Sequence, residues 1–530
     1  MKKQGMLPVV FVSLSVTLSL ICVFFLGWKL GGLSFAPFDI FDWITRIVPG
    51  SVISFSIDSM VKVIRFINPG SGTAVAAKAV EHSLAVIIFL LAGTVVGLLI
   101  LSIIARSKKS KFLPGIILSV TFYLFVLVIN ISLGRATIIN ELWNLTVFVI
   151  WGLTFGWIFA RIGVIPGVDV KETGSVERID RRKFLIRLGG VSAAFVVTGA
   201  VVDVLTRMER KVIPAGEKWS AHHELPNVDA AVKAAPGTRA EFTPVENHYR
   251  IDIDATPPLI NEGSWQLKVS GLVEKPLELS LQQIRDYEPS DQFITLSCIS
   301  NPVGGDLIGT QRWTGVSLQR IIHDLKLKQG AAYLIINSAD GFYEAVSLDL
   351  INKDSRIMLT YAWDGLPLPS EHGFPLRIYI PDRYGMKQPK WIESIEVVDK
   401  WESGYWVDRG WDKDALMKAT SVIDTIAVGN IISDAQGRKL IPVGGIAHAG
   451  DRSISKVEVK IDNGEWLETE LRTPLSDLTW IIWRFNMPFQ AGEHKLTVRC
   501  YDGNGIPQII TVAPPHPSGA TGLDARVFKA

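Results

Sequence analysis

Residues 295–305 read Thr295-Leu-Ser-Cys298-Ile-Ser-Asn301-Pro-Val-Gly304-Gly305, which places one cysteine in a loop that ends in two glycines. The chain has three cysteines, and the other two lie in different surroundings: Cys22 in an apolar run and Cys500 in a predicted strand. No Cys-x-x-Cys pair occurs, which argues against thiolate zinc sites, iron–sulfur clusters and c-type haem attachment. A cysteine with a special role in this chain must therefore act alone, and Cys298 is the candidate.

Three more blocks stand out downstream of this loop. The block His372-Gly-Phe-Pro-Leu-Arg377-Ile-Tyr-Ile-Pro381 is followed, thirteen residues beyond its arginine, by Lys390-Trp391. The last block is Gly444-Gly-Ile-Ala-His-Ala-Gly450-Asp-Arg-Ser-Ile-Ser-Lys456-Val-Glu-Val. Together with the cysteine loop, these blocks resemble in order and spacing the sulfite oxidase family of molybdopterin-dependent oxidoreductases, which includes periplasmic methionine-sulfoxide reductases. The resemblance covers roughly residues 240–520.

The resemblance implies a molybdenum–molybdopterin cofactor, whose metal is held by two dithiolene sulfurs of the pterin and by one cysteine thiolate. Cys298 would be that metal ligand and a catalytic residue, and a soft thiolate suits such a site. No haem or flavin motif is visible, so neither cofactor is expected. Electrons would then pass through a separate carrier, such as a cytochrome or a quinone-linked protein.

The resemblance also assigns cofactor-binding residues. Arg377 would make charge-assisted bonds to the pterin phosphate, and Lys390 would add a positive charge nearby. His372 would donate a hydrogen bond, and the backbone groups of Gln388 and Pro389 would line the pocket. The other residues that match cofactor-contacting positions are Asn247, Tyr249, Arg250, Asn301 and Ser338. Taken singly, these residues also suit salt bridges and turns, so the assignment depends on the blocks together.

Three positions depart from the sulfite oxidase pattern. Two arginines that bind the anion in sulfite oxidases are replaced by Glu246 and Val303, and the place of the catalytic tyrosine is taken by Trp411. A glutamate inverts the charge and would repel a dianion. A tryptophan here resembles the methionine-sulfoxide reductases, although Trp411 also suits an ordinary buried aromatic residue. The departures predict oxygen-atom and two-electron transfer on a neutral substrate such as an S-oxide or N-oxide.

Two other functions stay open. Sulfite oxidation would need a different basic set, for instance Arg312, Arg383, Lys387 and Arg409. A non-catalytic assembly or binding module would carry a degenerate cofactor site. A nucleic-acid partner is not expected, because the net charge is only +2 and the basic residues form no long run.

The N-terminal part of the chain reads as a membrane region. The chain is 48% hydrophobic with a mean hydropathy of +0.27, and nearly all long apolar runs precede residue 206. About 20 apolar residues span the hydrocarbon core as a helix. Runs of this kind predict five transmembrane helices at about residues 8–28, 84–105, 113–133, 141–160 and 185–205. Phe38, Ile40, Phe41, Trp43, Ile44 and Ile47 suggest an amphipathic surface helix outside, and residues 57–67 a second.

The basic residues predict the orientation of these helices. Lysine and arginine cluster before the first run, between the second and third, and between the fourth and fifth. With a cytoplasmic N-terminus all three clusters fall inside, which is the usual rule, and the chain after about residue 206 is outside. Residues 180–185, Asp-Arg-Arg-Lys-Phe-Leu, resemble a twin-arginine export motif, although a plain basic flank reads the same way. Only His82 lies near a helix, which argues against a membrane haem relay.

These observations predict a multi-domain fold: an α-helical transmembrane region, then an α+β sulfite-oxidase-type molybdopterin domain, then an all-β immunoglobulin-like sandwich. The last resembles the family's dimerisation domain, so a homodimer is expected. The predicted location is a bacterial inner membrane, with the catalytic half on the periplasmic side. The predicted segments are 1–180 with four membrane helices, 181–206 with the twin-arginine-like motif and the fifth, 207–240 as a linker, 241–417 as the molybdopterin domain, 418–515 as the sandwich, and 516–530 as a tail.

Overall fold

A computed structural model of the chain describes residues 7–50, 73–106, 110, 112–162 and 217–530, together with scattered residues within 52–63 and 186–202. The chain divides into two compact units, one made of residues 1–48 and 78–213 and the other of residues 49–77 and 214–530. The twin-arginine-like motif at 180–185 lies outside the described residues, as does most of the predicted surface segment 57–67.

The helical unit is built from long apolar helices. The bounds are α1 Leu7–Gly31, α2 Ala36–Ile47, α3 Thr73–Arg106, α4 Leu113–Ser132 and α5 Ile138–Ile162. Among the described residues, four of these helices are long and apolar enough to cross a membrane, with spans of 23, 29, 20 and 21 residues. They match the first four predicted spans. The predicted fifth contains a described apolar helical stretch, Ser192–Val202, which is shorter than a span, so the fifth crossing stays a prediction.

Polar contacts attach the amphipathic helix α2 to the long helices of its own unit. Arg135, in the turn between α4 and α5, reaches Asp39 at 3.2 Å and Asp42 at 2.8 Å. Both carboxylates are buried, so this pairing offsets the cost of removing them from water. The helix predicted from the spacing of Phe38, Ile40 and its neighbours is therefore present in the structure.

The second unit begins with an α+β domain that contains two sheets. Its helices are α6 Trp219–His222, α7 Leu281–Arg285, α8 Leu318–Leu325 and α9 Leu348–Lys353. Its strands are β1 Gln266–Gly271, β2 Leu277–Ser280, β3 Ser290–Ser297, β4 Ile308–Ser317, β5 Tyr333–Ser338, β6 Tyr343–Ser347, β7 Met358–Trp363, β8 Leu366–Pro367, β9 Arg377–Tyr379 and β10 Ile392–Val398. Alternation or short apolar runs in the sequence predict strands at 265–271, 333–336 and 376–380, and helical spacing predicts a helix at 318–325; β1, β5, β9 and α8 lie at these places.

The two sheets of this domain differ in what they hold. One has the order β2-β1-β10-β5-β6, in which β1 and β10 are parallel, and its apolar side chains form the main core with α7, α8 and α9. The other has the order β3-β4-β7-β8, with β9 paired to β7. The cysteine loop follows the end of β3, and Arg377, the arginine expected to bind the pterin phosphate, is the first residue of β9. The second sheet therefore carries both the cysteine loop and the block that contains Arg377.

The C-terminal part is all-β. Its strands are β11 Thr420–Ile426, β12 Ile432–Ser433, β13 Lys439–His448, β14 Ile454–Ile461, β15 Trp466–Glu468, β16 Glu470–Leu471, β17 Ile481–Pro488, β18 Glu493–Asp502 and β19 Asp524–Lys529. They form two sheets, β11-β13-β17-β16 with β12 on β13, and β15-β14-β18-β19. Apolar residues of both sheets share one core, including Val443, Val459, Trp483 and Val498. The all-β prediction is met, and the specifically immunoglobulin-like topology stays a prediction.

The end of the chain corrects one expectation. Residues 524–529, which the sequence suggests are tail, form β19 and pair antiparallel with β18 along its first half. Three consecutive side chains of this edge strand, from Ala525 to Val527, are exposed, so it carries little of the inward–outward alternation that identifies strands in sequence. The C-terminal domain therefore extends at least to Lys529.

Candidate active site

Cys298 directly follows β3 and is the first residue of a loop that hydrogen bonds hold together. Its backbone N–H donates to the carbonyl of Leu307 at 2.9 Å, and the Leu307 N–H donates to Oδ1 of Asn301 at 3.1 Å. The side chain of Asn301 thus shapes the loop. The thiol is buried and lies 2.9 Å from the hydroxyl of Ser300, and burial raises its pKa. A buried thiol keeps its proton unless a cation compensates the thiolate, as a metal ion does.

The N-terminal segment brings Tyr249 and His248 against this loop. Tyr249 packs on Cys298 and Leu307, and burial, followed by the nearby Cys298, raises its pKa. The imidazole of His248 is tilted over Trp363, with ring centroids 4.7 Å apart, and stands edge-on to His372 at 5.6 Å. Burial lowers the pKa of His248 to about 3 and that of His372 well below its usual value, so both rings are neutral at physiological pH.

Arg377 is buried beside a pair of indole rings. Its guanidinium carbon is 4.7 Å from the ring centre of Trp313 and 5.3 Å from that of Trp363. Its Nη1 donates to the carbonyl of His372 at 2.9 Å, and its Nε has no hydrogen-bond partner among the described residues. Burial lowers its pKa to about 10, which still leaves it charged at neutral pH. A buried cation with a free N–H group is suited to an anion.

Lys390 stands in a small group of opposite charges. Its ammonium group pairs with Asp252, which also accepts from Arg250, and it lies 3.1 Å from the carbonyl of Ile251. Burial lowers the pKa of Lys390, and the Asp252 carboxylate opposes that effect. The same lysine contributes to the electrostatic field at Cys298. The structure therefore joins the N-terminal segment, the cysteine loop and Lys390 in one place.

Several buried polar atoms around this place have no hydrogen-bond partner among the described residues. They are Nε of Arg377, Nη2 of Arg250, Oγ of Ser338 and Oε1 of Gln388. Buried polar groups are normally satisfied, so a set of this kind indicates a polar ligand with both acceptors and donors. A pterin with a phosphate group has that character, and the residues present fit it.

Of the other predicted site residues, Gln388 and Pro389 stabilise a turn of the chain, and Asn247 lies at the surface. The carbonyl of Pro389 accepts from the N–H of Ile378 at 3.1 Å, and Gln388 donates through Nε2 to the carbonyls of Ile380 and Arg383. These contacts fix the turn before Lys390. Asn247 is exposed at the end of a short 3-10 turn, and no described contact brings it to Cys298.

Trp411 is buried beside the cysteine loop. It shares an apolar cluster with Ile299, Tyr384 and Met386, and Ile299 directly follows Cys298. Burial raises the pKa of Tyr384 to about 12, and the proximity of Cys298 adds to the effect. The position that the sequence analysis selected is thus close to the candidate metal ligand.

Positions 246 and 303, at which sulfite oxidases have arginines, lie in different surroundings. Val303 packs against the apolar cluster that contains Ile308 and Ile446. Glu246 is largely exposed and pairs with Lys218 at 3.4 Å. Neither position contributes positive charge.

The alternative basic residues already have partners. Arg312 pairs with Asp291 at 2.7 Å, and Lys387 pairs with the buried Glu344 at 2.5 Å. Arg383 lies 3.9 Å from Asp382. Nη1 of Arg409 donates to the carbonyl of Tyr405 at 2.8 Å. Arg312 and Lys387 are therefore paired with carboxylates.

Sequence reasoning missed two residues that organise the site. Asp252 holds both Arg250 and Lys390, and His248 links Tyr249 to His372. A signal for the first was present, since an aspartate stands two residues after a candidate cofactor-binding arginine. Lys390 and His372, the partners that complete these contacts, lie more than 100 residues away along the chain, so only the fold brings them together.

Comparisons with known proteins agree with this geometry. The model of the family described as "Oxidoreductase molybdopterin binding domain" matches residues 254–406. The chain is 30% identical over 147 residues to the uncharacterized oxidoreductase YuiH of Bacillus subtilis, with 28% of this chain and 72% of that protein covered. It is 25% identical over 304 residues to the mitochondrial sulfite oxidase of Homo sapiens, with 48% of this chain and 55% of that protein covered.

Two further similarities complete the comparison. A putative protein-methionine-sulfoxide reductase subunit, YedZ1 of Azospira oryzae, is 29% identical over 154 residues, with 29% of this chain and 56% of that protein covered. The sulfane dehydrogenase SoxCD of Paracoccus pantotrophus aligns with a TM-score of 0.48 at 18% identity over 61% of this chain and 90% of that chain. The chain spans about half the length of the sulfite oxidases that it matches.

The family match covers the sheets that carry Cys298, Arg377 and Lys390, and the relatives share an oxidoreductase domain that uses a molybdenum cofactor. This chain therefore belongs to the family of oxidoreductases with a molybdopterin-binding domain.

Proposed function

We propose that this chain is a membrane-anchored molybdenum-cofactor oxidoreductase that acts outside the cytoplasmic membrane on a neutral S-oxide or N-oxide. The observation that carries the substrate class is the charge around the site. Glu246 and Val303 stand where sulfite oxidases have arginines, and Arg312 and Lys387 are paired with carboxylates. A dianion would find little uncompensated positive charge, whereas a neutral oxide needs only hydrogen-bond donors.

The residues of the chain divide the work of holding the cofactor. Arg377, supported by Trp313 and Trp363, would bind the phosphate, and Lys390 would be held in place by Asp252. Ser338 and Gln388 have unpartnered buried oxygens for polar groups of the pterin. Cys298 would supply the thiolate ligand. When bound, the molybdenum cofactor supplies the transfer of one oxygen atom together with two electrons.

The neutral imidazoles add specificity without charge. His248 and His372 stand beside Arg377, and burial lowers the pKa of both, which favours the neutral ring. A neutral ring can orient a polar group through one donor and one acceptor. The positive charge offered to the anionic phosphate would then come mainly from Arg377 and Lys390, with Arg250 paired to Asp252.

The four apolar helices are proposed to anchor the enzyme in a bacterial inner membrane with the N-terminus inside. The positive-inside distribution supports this orientation, and the proposed fifth crossing at about residues 185–205 would then put the catalytic half outside. A separate cytochrome or quinone-linked protein is proposed to exchange electrons with it, and the C-terminal sandwich to form a homodimer.

A substrate comparison tests the proposal. The purified full chain is assayed for reduction of dimethyl sulfoxide and trimethylamine N-oxide with a reduced viologen dye, and for sulfite oxidation with ferricyanide. We expect kcat/KM for at least one oxide to exceed that for sulfite by about tenfold or more, equivalent to about 1.4 kcal/mol. Sulfite turnover that is equally efficient would refute the neutral-substrate proposal. Protein without molybdenum would favour the non-catalytic module.

The exposed position Glu246 allows a complementary test. Glu246→Arg restores the charge found at this place in sulfite oxidases without disturbing a packed core. We expect sulfite to become a better substrate or inhibitor while oxide reduction changes little. Glu262→Arg, at another exposed acidic position, is the control for a general change in charge. Equal effects of the two substitutions would show that position 246 does not face the substrate.

A further inference from the structure

The C-terminal segment of the chain reaches the cluster that contains Trp411. The N–H of Asp412 donates to the carbonyl of Pro517 at 3.1 Å. Gly519 lies against Tyr384 so closely that a Cβ atom there would be 2.5 Å from the phenol oxygen. Tyr384 and Trp411 share their cluster with Ile299, the neighbour of Cys298. A segment that lies beyond the family match, which ends at residue 406, therefore packs next to the candidate metal loop.

This segment places an imidazole against the indole of Trp411. The rings of His516 and Trp411 meet edge-on, with centroids 4.9 Å apart and an interplanar angle of 77°. Nε2 of His516 and Nε1 of Trp411 are both buried, and neither has a hydrogen-bond partner among the described residues. Buried polar groups without a partner are costly, so these two nitrogens indicate a partner that is supplied from outside the protein.

We propose that His516 and Trp411 bind the oxygen atom of the oxide substrate, which makes His516 a specificity-determining residue. The inference rests on the proposed function, because it assigns a binding partner to that substrate. An indole nitrogen is only a donor, and an imidazole nitrogen donates in the tautomer that carries its proton. An indole N–H and an imidazole N–H match the single acceptor oxygen of an S-oxide or N-oxide.

The test separates binding from turnover. Dimethyl sulfone, which offers the same kind of oxygen acceptor, is titrated against the full molybdenum-loaded protein by calorimetry, and dimethyl sulfoxide reduction is measured in parallel. His516→Phe keeps the ring and removes the nitrogens, and His516→Gln keeps a donor. His494→Phe is the matched control, because both nitrogens of His494 are bonded, to Asp462 and to the carbonyl of Gln490.

We expect His516→Phe to weaken sulfone binding and to raise KM for the sulfoxide by about tenfold, with kcat changed less. His516→Gln should recover most of the binding, and His494→Phe should behave as the unmodified protein. Unchanged sulfone binding in His516→Phe, or no sulfone binding to the unmodified protein, would overturn the inference. Sulfone binding that depends on His516 without any oxide turnover would instead reject the proposed reaction and leave the binding pair standing.

Discussion

The buried guanidinium of Arg377 indicates that this residue binds a partner from outside the chain. The guanidinium is buried against Trp313 and Trp363, keeps its charge, and has an Nε without a partner among the described residues. Stacking on indole rings stabilises a cation only modestly, so it does not offset burial by itself. An anion at this position would supply the balance.

Replacing this arginine should release the cofactor. Arg377→Gln removes a charge-assisted hydrogen bond worth about 1.5–3 kcal/mol, which corresponds to roughly 10- to 100-fold weaker retention. Molybdenum and pterin content after extended dialysis measures the effect. Arg312→Gln is the control, because Arg312 also lies over an indole but pairs with Asp291. Full retention of the cofactor in Arg377→Gln would contradict the phosphate assignment.

At the scale of single residues, the sequence identifies the site residues that belong to a recognisable motif. Cys298, Arg377 and Lys390 were selected from ordered blocks, and the structure brings them together. Asp252, His248 and His516 were not selected, because their importance comes from contacts with distant parts of the chain. Such contacts leave no local pattern in a single sequence.

Strand ends explain how the elements position the site. The cysteine loop leaves β3, Arg377 begins β9, and β4 and β7 connect these strands within one sheet. A short apolar run predicts β9, whereas the sequence pattern does not reveal β19, because β19 is an exposed edge strand. The register between strands, which decides which side chains meet, follows from pairing that the sequence pattern does not specify.

Strand β13 gives a pH prediction for stability. Burial lowers the pKa of His448, at its end, to about 4. The unfolded chain therefore binds more protons than the folded one between about pH 4 and the ordinary histidine pKa of about 6.5. The free energy of unfolding should fall as the pH falls through this window, and His448→Gln should make the fall shallower. Thermal unfolding followed by tryptophan fluorescence measures both.

His494 is the control for this prediction. Asp462 raises the pKa of His494, so its contribution to stability is present below the ordinary histidine pKa and is lost as the pH rises through its folded value. His494→Gln should leave the loss of stability toward acid at least as steep as before. An unchanged acid profile in His448→Gln would show that His448 is not the group that titrates.

At the scale of the whole molecule, the chain combines a helical unit with a catalytic unit. Hydropathy located four helices that the structure describes, because a run of about 20 apolar residues has few other uses. Hydropathy alone does not indicate a function for these helices. Orientation follows from basic residues in the loops, and some of those residues lie outside the described part of the chain.

Reporter fusions test the proposed orientation. Alkaline phosphatase, which is active only when exported, is fused after residue 109 and after residue 240. We expect low activity from the first fusion and high activity from the second, because the basic loop near residue 109 should stay inside. Green fluorescent protein fused at the same two places should give the reverse pattern. Export of the fusion at residue 109 would show that the orientation is the reverse of the proposed one.

The central claim is that the thiolate of Cys298 ligates molybdenum. Molybdenum-edge X-ray absorption on the purified chain counts the sulfur neighbours of the metal directly. We predict that Cys298→Ser has one sulfur neighbour fewer than the unmodified protein. Cys500→Ser, which changes a buried thiol in the sandwich domain, should keep the full number. A sulfur count that is the same in Cys298→Ser and in the unmodified protein would contradict the account.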